Sequence, residues 1–203
     1  MARRAGARRI DRAMLQIRIH GRGGQGVVTA AELLSVAAFL EGHHAQAFPS
    51  FGSERTGAPV VAFCRIDDRP IRSHEPIAHP DALIVQDPTL LHQVDVFGGL
   101  RDGGAVVLNT ARSIAGLGLE DVAGRFAIRT LPATELAREH LGRPIPSAAL
   151  LGAFAACTGA VGVDAVAAAI RERFPGAVGA GNVAAAHAAY DLVATTRQEA
   201  VGA

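Results

Sequence analysis

Leu15-Gln-Ile-Arg-Ile-His20 alternates apolar and polar residues. Gly21-Arg-Gly-Gly-Gln-Gly26 follows at once, and Val28, Ala31, Leu34, Ala37 and Ala38 then recur at helical spacing up to Gly42. Alternation predicts a strand and the longer period a helix, so the glycines fall in a strand-to-helix turn. The spacing is G-x-G-x-x-G in the context that such a motif requires. Glycines let the chain turn tightly and let its backbone approach an anion, and the free N–H groups and dipole of the next helix favour a phosphate. Gly21, Arg22, Gly23, Gly24, Gln25 and Gly26 are therefore candidate ligand-binding residues, with Arg22 read as a mobile positive fork and Gln25 as an amide partner. The competing reading is a turn selected for strand–helix packing. Dinucleotide binding also needs an acid at the end of the second strand, for a ribose hydroxyl. That strand, His43–Phe48, ends in Ala45-Gln-Ala-Phe48, with Glu41 before it and Glu54 well after it. The second element of a nicotinamide site is missing.

Downstream, Pro59–Ile66 reads as a strand, Asp67-Asp68 as a turn and Pro70–Ser73 as the returning strand of a hairpin. Ala82–Gln86, Ala105–Leu108 and Phe126–Leu131 read as strands, with a short helix over 89–100 between the first two. From Ala133 the pattern is helical, over about 133–141, 147–159, 163–173 and 182–197. Strands alternating with helices predict an α/β fold: a mostly parallel, Rossmann-like sheet with helices on both faces, a β-hairpin insertion and a helical C-terminal third. The 203 residues suit one domain, 14–199, preceded by a flexible basic arm over 1–13. Met14, just before the first strand, is an alternative natural start.

Composition removes several chemistries. There is no lysine, which excludes a Walker-A lysine, a Schiff-base lysine and a pyridoxal anchor. The two cysteines, Cys64 and Cys157, cannot ligate a four-thiolate iron–sulfur cluster, and each reads as a buried small residue in an apolar run. The net charge is +1, of which residues 1–12 carry +4, so the body sits near −3 and nucleic acid is not expected as the main partner. The most apolar stretch, near 148–170, is broken by Gly152, Gly159, Gly162 and Asp164, and the arm is too poor in apolar residues for a signal peptide. No membrane association and a cytoplasmic location are expected. The eight histidines show no metal-ligand spacing with supporting acids, so neither a metal site nor a catalytic residue is assigned.

Phe48-Pro-Ser-Phe-Gly-Ser-Glu-Arg-Thr-Gly-Ala-Pro59 follows the second strand, on the edge where open α/β sheets bind ligands. Ser50, Gly52 and Arg55 join the candidate site. Arg55 suits a bidentate contact with a phosphate or carboxylate, or else an ion pair with Glu54. Asp87 ends a strand beside Pro88, and either faces the same cleft or caps a turn. His20 abuts the glycine turn and reads as structural.

These residues resemble a known family. Ile17-Arg-Ile-His-Gly-Arg-Gly-Gly-Gln-Gly26, Gln46-Ala-Phe-Pro-Ser-Phe-Gly52 with Glu54-Arg55 and Gly57-Ala-Pro59, Arg65-Ile-Asp-Asp68 with Pro70-Ile-Arg72, and Val85-Gln-Asp-Pro-Thr-Leu90 are similar to blocks of the gamma subunit of pyruvate:ferredoxin oxidoreductase, a 2-oxoacid:acceptor oxidoreductase. Leu141-Gly-Arg-Pro144, Leu151-Gly-Ala-Phe154 and Glu172-Arg-Phe-Pro-Gly176 continue the resemblance in order. It implies a subunit of an enzyme that oxidatively decarboxylates pyruvate or a related 2-oxoacid with coenzyme A to an acyl-CoA and carbon dioxide, or runs the reverse. It implies alpha, beta and ferredoxin-like delta-type partner subunits carrying thiamine diphosphate and iron–sulfur clusters, and a ferredoxin as acceptor. It also implies that the gamma domain packs near the active-site entrance and is linked to coenzyme A, whose phosphates the glycine turn with Arg22 would suit. A purely structural subunit and a nucleotide-binding dehydrogenase-like domain are the alternatives.

Overall fold

The computed structural model describes residues 14–50 and 56–202, with side chains described as far as residue 196. Alternation sorts side chains onto the two faces of a six-stranded sheet. In β1 (Met14–Arg22), Leu15, Ile17 and Ile19 are buried on one face. In β4 (Ala82–Val85), Ala82 and Ile84 join that same core, whereas Leu83 and Val85 belong to clusters on the other face. The remaining strands are β2 (His44–Pro49), β3 (Pro59–Asp67), β5 (Ala105–Asn109) and β6 (Ala127–Leu131), in the order β2-β3-β1-β4-β5-β6. β1, β4, β5 and β6 are mutually parallel along the sheet; β3 runs antiparallel to both β1 and β2.

The larger core lies between the sheet and α1 (Val27–Leu40), α4 (Ser147–Thr158), α5 (Val163–Arg173) and α6 (Gly176–Gly202). Most of their inward positions are alanine, valine and leucine, so the helices approach closely and the scarcity of aromatics leaves no gap to fill. α3 (Ala133–Leu141) packs alongside α6. The opposite face is covered by short pieces: α2 (Glu120–Ala123), 3-10 turns at Pro88–His92 and Ala115–Leu117, and Phe97 stacked on Phe126. Cys64 is fully buried in β3, and burial pushes its thiol up to about 12; Cys157 is half-buried in α4. Among the described residues no helix is long and apolar enough to cross a membrane.

Three expectations need correction. Pro70–Ser73 is not a strand. The hairpin is formed by β2 and β3, and because β3 already pairs with β1 on its other side it has no free edge for a returning strand. The segment is instead pinned as coil by Arg65, which donates to the carbonyls of Ser73 at 3.3 Å and Glu75 at 2.5 Å. The helix expected over 89–100 stops at His92. Arg18 draws in the next turns by donating to the Val96 and Gly98 carbonyls at 2.9 and 2.7 Å. α6 begins at Gly176, earlier than the expected 182. Gly179 and Gly181 sit where side chains would not fit: a Cβ at Gly181 would lie 2.6 Å from the His140 carbonyl. Small residues that lower helix propensity are here the condition for packing.

Candidate functional site

The glycine turn lies where the sheet's connections reverse. From β1 the chain goes through α1 to β2 on one side, and from β4 it continues to β5 and β6 on the other. In open α/β sheets the crevice at such a switch point is the ligand-binding position. β1 ends at Arg22, and Asp87 follows the end of its parallel neighbour β4, so both residues stand at that crevice.

The turn is built for close backbone approach. Gly24 and Gly26 have φ of +90° and +74°, which L side chains rarely adopt. A Cβ at Gly21 would lie 2.6 Å from Val27 and 3.1 Å from both Gln25 and Gln86. α1 has Gly26 at its N-cap and no side-chain cap. The amides of Gly24 and Gly26 have no backbone acceptor among the described residues, while Gly23 is tied to residues 56–58 by its N–H to Ala58 at 2.9 Å and its carbonyl from Gly57 at 3.1 Å. A cleft of about 240 Å³ opens here, lined by Arg22, Gly23, Gly24, Val28, Thr29 and Val60 among others. A helix N-terminus without a side-chain cap, beside turn amides that have no acceptor among the described residues, is favourable to an anion.

Arg22 is not the mobile fork expected from sequence. Its Nε donates to Asp87 Oδ2 at 3.0 Å, Nη1 to the Gly57 carbonyl at 3.0 Å, and Nη2 to Thr89 Oγ1 at 2.6 Å and Gln93 Oε1 at 2.8 Å. Four of its five N–H groups are thus directed at protein acceptors. Gln25 is equally engaged: Oε1 accepts from the Arg22 amide at 2.8 Å and Nε2 donates to Asp87 Oδ2 at 3.0 Å. Asp87 fulfils both readings of it, facing the crevice through Oδ2 and capping the next turn by accepting from the Thr89 amide at 2.9 Å. Partial burial alone would raise its pKa, but hydrogen bonds from Thr89 and Gln25 and the charge of Arg22 outweigh that and hold it below the ordinary carboxylate value.

The other expected site residues are placed as follows. Ser50 is exposed at the end of β2, where its amide donates to the Val61 carbonyl at 2.8 Å. Gly52 and Arg55 lie outside the described residues. His20 is buried, its Nε2 accepts from Arg18 at 3.0 Å, and burial followed by the Arg18 charge lowers its pKa to about 3. It is a neutral structural histidine. Sequence reading did not find Thr89, Gln93, Gln86 or Ser147. Gln86 Nε2 donates to Ser147 Oγ at 3.2 Å, and Ser147 donates to the Gln25 carbonyl at 3.1 Å, which fastens the start of α4 beneath the turn. The block Val85-Gln-Asp-Pro-Thr-Leu90 was the available signal, since an Asp-Pro-Thr after a strand is a capped turn at the binding edge.

A nicotinamide site is also opposed by topology. β3 lies between β1 and β2, so the end of the second strand is one strand removed from the glycine turn; in the dinucleotide fold those strands are neighbours and the ribose acid reaches the ligand directly. For an iron–sulfur cluster the donors do not fit: one cysteine is fully buried in a strand and the other lies in α4. Asp102-Gly103-Gly104 is a turn whose acid pairs with Arg125 at 3.0 Å.

The family model described as Pyruvate ferredoxin/flavodoxin oxidoreductase matches residues 16–192. The chain is 49% identical over 184 residues to pyruvate synthase subunit PorC of Methanothermobacter thermautotrophicus, covering 91% of this chain and 98% of that one. It is 51% identical over 180 residues to the pyruvate/ketoisovalerate oxidoreductases common subunit gamma of Thermococcus kodakarensis, covering 88% and 96%. Among solved structures it superposes on pyruvate oxidoreductase subunit PORC of Thermotoga maritima with a TM-score of 0.74, at 35% identity, over 89% of this chain and 97% of that one. The fold alone is shared with 2-oxoglutarate:ferredoxin oxidoreductase of Magnetococcus marinus, with a TM-score of 0.70 at 15% identity, over 92% of this chain and 32% of that one. The chain belongs to the pyruvate ferredoxin/flavodoxin oxidoreductase family.

Proposed function

We propose that the crevice at the glycine turn receives a phosphate of coenzyme A in the enzyme complex to which this chain contributes its gamma-type subunit. The chain is a subunit of a pyruvate/2-oxoacid:ferredoxin oxidoreductase. The reaction of such a complex joins an acyl group from a 2-oxoacid to coenzyme A and releases carbon dioxide and two electrons, or reverses this. In this reading the carbon chemistry belongs to thiamine diphosphate and the electrons to iron–sulfur clusters, both on alpha, beta and delta-type partner chains, with a ferredoxin as final acceptor. The donor sets here support that division, since neither cysteine is placed to ligate a cluster.

The observation that carries the proposal is the N-terminus of α1, without a side-chain cap, beside the Gly24 and Gly26 amides, which have no acceptor among the described residues, at the β1/β4 crevice. Backbone amides supply the contacts and Arg22 contributes its charge from a fixed position, with Ser50, Gly52 and Arg55 read as further contacts to the same ligand. The Magnetococcus marinus protein was solved with coenzyme A and succinyl-CoA bound, which agrees with the ligand class.

Thr29→Asp tests this. The residue lines the cleft in the first turn of α1, where an acid favours the helix but repels a phosphate. The assembled complex should keep its stability and its KM for the oxoacid, while its KM for coenzyme A rises roughly tenfold, the effect of about 1.4 kcal/mol. An unchanged KM for coenzyme A would refute the reading. The engaged state of Arg22 favours one rival, a turn that serves only packing. That rival predicts loss of subunits in native mass spectrometry of Gly24→Ala, with coenzyme A kinetics unchanged in whatever complex remains.

A further inference from the structure

We infer that Asp87 is a positioning residue for coenzyme A, holding the glycine turn in its binding shape through Arg22 and Gln25. This rests on the reading of the crevice as the coenzyme A phosphate site. The carboxylate is saturated. Oδ2 accepts from Arg22 Nε and Gln25 Nε2, each at 3.0 Å, and Oδ1 accepts from the Thr89 amide at 2.9 Å and Thr89 Oγ1 at 2.6 Å. With four donors on two oxygens it has little capacity left for a ligand or a proton. It is not itself a residue of the cleft lining, although it holds Arg22, which is. Its action is through the two side chains it fixes.

Those two side chains determine the turn. Gln25 Oε1 accepts the Arg22 amide from inside the loop, and a Cβ on Gly21 would come within 3.1 Å of that same oxygen. The Arg22 guanidinium binds the Gly57 carbonyl, Thr89 and Gln93, so three separate stretches, 21–26, 56–58 and 87–93, are locked around one carboxylate. The lock has a second consequence. It draws Arg22 toward Asp87 and leaves the uncapped α1 amides, rather than the guanidinium, as the groups that meet an incoming phosphate. A preset wall of amides binds without reorganising, which is the general advantage of preorganisation.

The experiment uses the assembled complex. Asp87→Asn keeps the shape but puts an N–H₂ where one of two oxygens accepted two donors, and removes the charge opposite Arg22, so the four bonds cannot all be kept. The KM for coenzyme A should rise about tenfold, as for loss of hydrogen bonds to a charged group, and more than kcat falls, with the KM for the oxoacid within about twofold. The double variant Asp87→Asn with Gln25→Glu returns a carboxylate to the same space and should recover most of the coenzyme A KM. Thr89→Val, which removes two bonds without exposing a charge, should raise it two- to threefold. An unchanged KM for coenzyme A in Asp87→Asn, or a proportional loss against both substrates with no rescue, overturns the inference. If Thr29→Asp raises that KM while Asp87→Asn does not, only the positioning role fails; if neither does, the site reading itself fails.

Discussion

Arg22–Asp87 at the glycine turn and Arg125–Asp102 at the N-terminal ends of β5 and β6 are both arginine–aspartate pairs with 3.0 Å between nitrogen and oxygen. The side chains of the first are 21% and 14% exposed, those of the second 65% and 81%. The first pair shares its atoms with Gln25, Thr89, Gln93 and Gly57, whereas the second is bonded bifurcately within itself and leans on Phe126 through a guanidinium–ring contact of 5.0 Å. The second pair even borders the larger cavity, about 670 Å³, with His79, Asp95 and Phe97. Distance does not separate the two sites and cavity size favours the second; network and backbone geometry favour the first. The small cleft has turn amides with no acceptor among the described residues and a fixed shape, while the large one presents both charge signs in open solvent, where pairing is worth little.

Breaking the first pair should therefore have the largest effect. Arg22→Ala removes four hydrogen bonds and leaves the Asp87 carboxylate without its counter-charge. Thermal unfolding of the full chain should show a loss of about 2–3 kcal/mol, short of a fully buried pair because both partners keep some solvent.

A pH series sharpens the contrast between the network and the residues beside it. Burial, with the Arg18 charge, lowers His20 to about 3, against an ordinary value near 6.5 in the unfolded chain. The unfolded state thus binds a proton that the folded state refuses. The contribution of His20 is fully present above about pH 6.5 and declines as pH falls from there toward 3, by about 1.4 kcal/mol per unit at most. His20→Gln should flatten the fall of unfolding temperature between pH 6.5 and 5. Asp87 lies on the same edge with a lowered pKa and so does not add a step in that range.

The smallest effect belongs to the second pair. Asp102→Asn should change stability by no more than about 0.5 kcal/mol, and that small change should shrink further at high salt. A loss from Asp102→Asn as large as that from Arg22→Ala would break the comparison.

Local pattern is readable from the sequence wherever one segment decides its own conformation. β1, the glycine turn and α1 follow from alternation, glycine spacing and helical period within residues 15–41. What cannot be read depends on partners far along the chain. Arg22 belongs to the site on its spacing alone, but its acceptors come from positions 57, 87, 89 and 93, so its fixed state depends on β4 lying beside β1. Pro70–Ser73 reads as a returning strand from its place after the Asp67-Asp68 turn, and only the strand order reveals that β3 has no free edge to offer it. The same order places β3 between β1 and β2 and so explains the missing ribose acid, which residue spacing shows only as an absence.

A structure of the assembled complex with coenzyme A is the most direct test. The expected result is a phosphate oxygen at about 3 Å from the Gly24 or Gly26 amide at the start of α1, with Arg22 still bonded to Asp87. A phosphate bound elsewhere, or a guanidinium that has left Asp87 to meet it, would contradict the proposed role of the turn.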